Sequence, residues 1–391
     1  MALEVRRRRV VAAVRAGRRP VDVAREFGVS RQLVWRWVRR TEGRRLDRVD
    51  WSDHAPGRRR APNRTAPEVE ALVVRSRLDL EKHSALGEHG DEAIRAALLE
   101  AGRVEVPSTR TIARILQRSG ILERGRRVRR PAPPRGWYLP EVARGRAELD
   151  SFDVVEGLSC REDKRYEVLT GLSLRGRLAS AWPMKVVRIP AIFECLQERW
   201  RRWGLPRYAQ FDNDARFQGA HFEPNTIGRV TRLCLALGVV VVFSIPREHG
   251  IQAGIESFNG LWQRKVRRRF WLLSLRAIRA QSDRYLEAHR ARHADLSIPR
   301  TPFPRSRVLD LRAPVRGLIV YLRRADDRGA VSLLGMTFPV DRRWAHRIVR
   351  GEVDLDRDEI RFVGLRRAEP EDQPLLRVTP HRIPAPTRLR L

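Results

Sequence analysis

The sequence predicts a multidomain chain. Helix-turn-helix units come first, then an α/β core with a mixed sheet covered by helices, then a small C-terminal β-barrel. Three observations carry this expectation. Apolar residues recur at helical spacing through residues 5–122. From residue 148, strand-like runs come first and then alternate with helical segments, the pattern of helices laid on a mixed sheet. After residue 306, short strand-like runs sit between turn residues at even intervals, as in a small barrel.

A chain of 391 residues has room for several domains and a large buried core. Its 80 lysines and arginines against 47 acidic residues give a formal charge of +33, spread along the whole length. Arginine dominates the excess, and its planar fork donates two parallel hydrogen bonds to phosphate. A surface this basic calls for an anionic partner, and nucleic acid fits. A GC-rich genome would favour arginine over lysine, but it would not set the net sign. No apolar run reaches the roughly 18 residues needed to span a membrane. The first nine residues lack an apolar stretch behind their charges, so no signal peptide is read. Cys160, Cys195 and Cys234 are far apart, which leaves neither a disulfide framework nor a C-x-x-C metal site and suits a reducing cytoplasm.

Residues 1–45 read as a DNA-binding helix-turn-helix. Val10, Val11 and Val14 mark a first helix that ends at Gly17, and a short second helix runs from Val21 to Phe27. Gly28-Val29-Ser30 supplies the turn, with Ser30 as cap of a third helix from Arg31 to Arg40. That helix would bury Leu33 or Val34, Trp37 and Val38. Its other side would present Arg31, Gln32, Trp35, Arg36 and Arg39, residue types that reach base edges and phosphates. A plain helical bundle would explain a basic face, but not the turn, cap and basic third helix together. Residues 46–66 are polar, basic and proline-bearing, and read as a linker. Residues 67–122 form a second helix-turn-helix-like unit, with Ser108 capping its last helix and Ile112, Ile115 and Leu116 inward; a helical spacer is the alternative. Residues 123–140 interleave arginine with proline, which denies a helix and makes a basic strap or a solvated linker.

The core spans 141–305. Strands are expected over 148–158, 164–174 and 177–186, a helix over Ile189–Trp203, and a strand Arg207–Phe211 that runs into Asp212. A helix over 225–237 and the wholly apolar Val239–Phe243 follow, the latter a strand buried on both faces. A long helix opens near Glu256. Asp153, Asp212 and Glu256 thus lie at the edges of regular elements. Two aspartates and a glutamate so placed can hold a pair of divalent ions, and crowded carboxylates need cations to stay ionised. Residues 306–378 would form the barrel and 379–391 a disordered basic tail.

These motifs resemble the catalytic core of insertion-sequence transposases, relatives of retroviral integrase with a ribonuclease H-like fold. The first aspartate stands in Phe152-Asp153-Val154-Val155 before a short apolar run, and a strand like Tyr166–Thr170 follows. The second lies in D-N-x-x-x-F, here Asp212-Asn213-Asp214-Ala215-Arg216-Phe217. The third carboxylate opens E-x-x-N-G, here Glu256-Ser257-Phe258-Asn259-Gly260. The helix-turn-helix and the small barrel also look like the family's, so the resemblance covers most of the chain. It implies a DDE-type enzyme that cleaves element ends and transfers strands with Mg²⁺ or Mn²⁺. Asp153 would bridge both ions, with Asp212 on one and Glu256 on the other. Water would free a 3′-hydroxyl, and that hydroxyl would attack target DNA. The other reading is a DNA-binding regulator derived from a transposase, with an idle core.

Asp150 competes with Asp153 as first ligand from the opposite strand face, and the apolar run directly after Asp153 favours Asp153. Asn213 would orient the loop, and Asp214 would support the ligands or stand as a solvated loop residue. Asn259 and Gln263 share Glu256's helix face and would touch DNA or form a polar solvent face. Arg264, Lys265, Arg267, Arg268 and Arg269 would meet phosphate; Trp262, Phe270 and Trp271 would pack; His249 would be a loop or DNA contact. The implied partners are double-stranded DNA, as element ends and as target, and further copies of the chain on that DNA, in a bacterial cytoplasm or nucleoid. Nothing in the sequence specifies an accessory ATPase.

Overall fold

The computed structural model describes residues 3–52, 65–122, 135–219, 224–246, 248, 250–304, 310–311, 313–367 and 369–384. His249, most of the basic strap and the end of the tail lie outside the described residues. The chain divides into two compact units, Met1–Glu70 and Ala71–Leu391.

The first unit holds α1 (Leu3–Arg15), α2 (Pro20–Glu26) and α3 (Arg31–Arg40). Pro20 starts α2, where a missing N–H costs nothing. Gly28, at φ +57°, takes the left-handed turn that separates α2 from α3. The Ser30 hydroxyl accepts the Leu33 amide at 3.3 Å and closes the end of α3. Val10, Val11, Val23, Ala24, Val34 and Trp37 bury one common core. Of the two alternatives for the inward position, Val34 is buried and Leu33 is only partly so.

In the second unit, α4 (Pro67–His83), α5 (Asp91–Glu100) and α6 (Thr109–Arg118) surround Val73, Ile94, Leu98, Ile112, Ile115 and Leu116. Ser108 caps α6 by accepting from the Thr111 amide at 3.3 Å. The short α7 (Pro140–Ala143) leads into β1 (Leu149–Leu158), β2 (Tyr166–Ser173) and β3 (Ala179–Met184). Next come α8 (Ile189–Trp203), β4 (Tyr208–Phe211), α9 (Ala215–Gln218), α10 (Arg229–Ala236) and β5 (Val240–Phe243). α11 (Ala253–Trp262) runs into a π-helical turn, Gln263–Arg267, and α12 (Leu275–His293) closes the helical layer. The remaining strands are β6 (Leu318–Arg324), β7 (Ala330–Leu333), β8 (Met336–Pro339), β9 (Ile348–Asp354), β10 (Glu359–Gly364) and β11 (Leu375–Pro380).

Among the described residues nine strands form one sheet, in the order β11-β10-β9-β6-β5-β4-β1-β2-β3. β1, β2 and β3 are antiparallel neighbours, whereas β4 and β5 join in parallel, so the core sheet is mixed as expected. α8 and α10 pack on one face around Phe152, Leu169, Phe211 and Phe243. α11 and α12 cover the other, where Tyr166, Val168 and Ala181 meet Ile255, Trp262 and Tyr285. Val168 and Leu169 are adjacent, so strand alternation sends them to opposite layers. Cys195 and Cys234 are buried free thiols, and burial pushes the Cys195 thiol up to about 12.

The C-terminal barrel does not form among the described residues. β6 pairs in parallel with β5, Val241 opposite Ile319 and Phe243 opposite Tyr321, and β9, β10 and β11 extend the same sheet. The physical reason lies in β5, which is apolar and buried throughout and would otherwise leave an open edge. The tail also begins later than expected, because Thr379 and Pro380 pair with Ile360 and Glu359 as the end of β11.

Candidate active site

The central strands set the geometry. β1 and β4 run in parallel with Asp150 opposite Ala209 and Ser151 opposite Gln210. Continued by two positions, that register brings Asp153 alongside Asp212, just past the end of β4. Phe152 and Phe211 stack beneath them with ring centroids 5.4 Å apart. Glu256 lies in the first turn of α11, which packs over β1 and β2.

Asp153 is half-buried and its hydrogen-bond donors are neutral. The Val154 amide reaches Oδ1 at 2.9 Å and the Asn259 side-chain amide reaches Oδ2 at 2.7 Å. Burial, then the charge of Asp212, then that of Glu256, pushes its pKa up to about 6. The Asp212 pKa is also raised, by burial first and by Asp214 and Glu156, against the Asp214 amide and Arg216. The three carboxylates therefore share one electrostatic neighbourhood, although among the described residues no three acidic, histidine or cysteine side chains converge closely enough to grip one ion as they stand. The two observations agree in chemistry and differ in range, since charge acts over longer distances than a coordination bond.

Asp150 takes no part in this. It is fully buried and receives Arg199 Nε at 3.0 Å, Arg300 Nη2 at 2.7 Å, Ser173 Oγ at 2.7 Å and Trp200 Nε1 at 3.2 Å. Burial alone would raise its pKa, but Arg199 and Arg300 outweigh it and hold the carboxyl well below the usual range.

The loop after β4 is tied down. The Asn213 amide donates to the Ser244 carbonyl at 2.8 Å, and Arg323 of β6 donates to Asn213 Oδ1 at 2.9 Å. Asp214 caps α9 by accepting the Arg216 amide at 2.8 Å. The Arg216 side chain gathers Asp214 at 2.6 Å, Glu156 at 2.6 Å and Glu167 at 3.5 Å.

Several expected DNA contacts change role. Asn259 is only 6% exposed, so it orients Asp153 and does not reach outward. Lys265 is half-buried and donates to the Gly87 carbonyl at 2.6 Å, and Arg269 donates to carbonyls at the end of α4, so part of the basic run anchors the preceding helical unit. Gln263 and Arg267 are half-buried, whereas Arg264 and Arg268 are exposed. Trp262 packs as expected and donates to Ser282 at 3.0 Å. Trp271 does not pack; it is 89% exposed, with Phe270 exposed beside it. On α3, Arg31, Gln32, Trp35, Arg36 and Arg39 are all exposed. Sequence reasoning missed Arg323, Arg216 and the Arg199–Arg300 pair. A lone arginine in a basic chain carries no local signal of a partner far away in sequence.

Residues 1–49 match the family described as a homeodomain-like domain. No curated protein matches the chain. Among solved structures, it is similar to a chain of the simian T-cell lymphotropic virus intasome in complex with PP2A regulatory subunit B56 gamma. The identity is 14% and the TM-score 0.34, over 66% of this chain and 84% of that one. It is also similar to the catalytic core domain of BIV integrase, at 15% identity and TM-score 0.30, over 39% of this chain and 90% of that one. Among the described residues no helix is long and apolar enough to cross a membrane. The N-terminal unit matches a homeodomain-like domain, and the larger unit carries Asp153 on β1, Asp212 just past β4 and Glu256 on α11.

Proposed function

We propose that the chain is a metal-dependent DNA transposase of the insertion-sequence type, which cleaves element ends and joins them to target DNA. One observation carries the reading: β1 and β4 run in parallel and bring Asp153 alongside Asp212, where burial first and then the charges of Asp212 and Glu256 raise the Asp153 pKa. The spacing of those residues in D-N-x-x-x-F and E-x-x-N-G and the homeodomain-like match at residues 1–49 support it.

The donor set fits a hard divalent cation. Three carboxylates supply oxygen ligands, and their mutual repulsion is the kind that a cation relieves. Asp153, Asp212 and Glu256 would hold Mg²⁺ or Mn²⁺, which would supply charge to activate an attacking oxygen and stabilise a leaving one. The remaining residues position. Asn259 holds one oxygen of Asp153, and Thr170 Oγ1 donates to the Asp153 carbonyl at 3.1 Å. Arg323 and Asn213 fix the loop that bears Asp212. Arg31, Gln32, Trp35, Arg36 and Arg39 would meet double-stranded DNA through α3, and Arg264 would meet phosphate near the site.

The test is nicking and joining of plasmid DNA with Mg²⁺ or Mn²⁺, comparing wild type with Asp212→Asn. The expected result is loss of both activities with DNA binding intact. Full activity in the variant would overturn the assignment. A second reading, an idle transposase-derived regulator, draws on the lack of a ready-made three-ligand cluster among the described residues. It predicts tight DNA binding with no metal binding in either protein.

A further inference from the structure

A cavity of about 590 Å³ lies against α11, the helix that carries Glu256, and none of its features enters the proposed chemistry. Its volume falls within the roughly 300–1,000 Å³ of small-molecule sites. Three features of its lining differ in character. Trp137 and Phe258 give it aromatic wall, continued by aliphatic side chains such as Leu174. Arg135, Arg177 and Arg367 also line it and are exposed. The described ion pairs engage none of these three arginines. The Arg135 pKa is lowered, by burial first and then by the charges of Arg177 and Arg175.

The third feature is His289. Its ring lines the cavity, is 8% exposed, and sits 5.9 Å from the Phe258 ring. Its Nδ1 is buried with no hydrogen-bond partner among the described residues. A buried nitrogen without a partner is destabilising. Burial, then His293 and Arg177, hold its pKa down to about 4, so the ring is neutral and suits an uncharged heterocycle against it.

We propose that this cavity binds a single nucleotide, its base against Trp137, Phe258 and the His289 ring, and its phosphate on Arg135, Arg177 and Arg367. A bare inorganic anion would leave the aromatic wall and His289 unused. A purely apolar ligand would leave the arginines unused. An aromatic heterocycle joined to a phosphate uses all three features. The nucleotide has two sources: a free deoxynucleotide, or a nucleotide turned out of a DNA strand at the site. The second source rests on the proposed function and the first does not.

The test titrates full-length protein with deoxyadenosine monophosphate by calorimetry, with inorganic phosphate as competitor. Binding is expected to saturate at one site and to weaken about tenfold in Arg177→Asn and in His289→Phe. Arg177 is exposed and sits at φ +49°, which asparagine tolerates, so this variant keeps the backbone. Absence of binding in wild type, wild-type affinity in either variant, or displacement by phosphate at equal concentration would each overturn the proposal. A second arm uses duplexes carrying 2-aminopurine near the end. A fluorescence rise in wild type that is lost in His289→Phe, with duplex affinity unchanged, assigns the strand as source. No rise, with nucleotide binding intact, assigns the free nucleotide. Loss of plasmid cleavage in Asp212→Asn is read separately, so failure of the cavity and failure of the transposase reading remain distinct.

Discussion

At the scale of single residues, two aspartates three positions apart on β1 have opposite fates. Asp150 points into a cage of Arg199, Arg300, Ser173 and Trp200, and serves to lock α8 and the segment around residue 300 onto the sheet. Asp153 meets other carboxylates instead, and its charge is a liability until a cation arrives. Its pKa is about 6 in the fold against an ordinary value of 3.8. Between those values the folded state binds more protons than the unfolded one, so this group's contribution to stability falls as pH rises from about 4 to 6. It is lowest above that window. Asp153→Asn should therefore raise the stability of metal-free protein at pH 7 by up to about 3 kcal/mol, with the gain gone at pH 4. Thermal melting at both pH values checks this, and Mg²⁺ should raise the Tm of wild type but not of the variant. A variant less stable than wild type at pH 7 would refute the electrostatic picture. By contrast, Asp150→Asn should destabilise by about 3–5 kcal/mol, because it leaves two buried guanidinium groups without their counter-charge.

At the scale of elements, the helix ends were legible in the sequence and the strand partners were not. Ser30 and Ser108 announced α3 and α6 because capping is local chemistry between a hydroxyl and an amide three residues on. Ile189 and Trp203 bounded α8 as expected, since Pro190 favours a first turn and Gly204 ends the last. The candidate site was legible as three motifs, but its supports were not: Arg323 lies 110 positions from Asn213. Alternation in β6, β9 and β10 fixes which face each side chain takes, but says nothing about which edge the strand joins. Hence a barrel was expected where the core sheet continues. Arg323 is the clearest sign of that continuity. It is 7% exposed and donates to the carbonyls of Ser332 at 2.9 Å and Ser244 at 3.0 Å as well as to Asn213. Arg323→Met should cost about 3 kcal/mol in unfolding free energy, through acceptors left buried and unpaired, and should lower nicking activity through the Asp212 loop. Truncation at residue 315 should give insoluble protein, because it strips β6 from the apolar β5. A soluble, active truncation would mean that the C-terminal strands are a detachable module after all.

At the scale of the whole molecule, the formal charge of +33 is net of every acidic residue, so ion pairs within the chain leave it unchanged, and it favours an anionic partner. Part of it is already spent inside the protein. Arg199 and Arg323 are buried and the Arg300 side chain is turned onto buried Asp150, while Lys265 and Arg269 are turned to backbone carbonyls. The charge available to DNA is therefore smaller than the sequence total, and α3 holds an exposed share in Arg31, Arg36 and Arg39. Counterion release makes the size of that share measurable. Each phosphate neutralised lowers log K against log salt by about 0.9 for duplex DNA. Duplex binding by the full chain should weaken by at least about a hundredfold between 50 and 200 mM salt. Arg39→Ala should make the slope shallower by about one, whereas Asp212→Asn, which removes no cation, should leave it unchanged. Lys265→Ala should also leave the slope unchanged, because its ammonium is bound to the Gly87 carbonyl. A slope that responds to Lys265 but not to Arg39 would move the DNA path from the helix-turn-helix to the core.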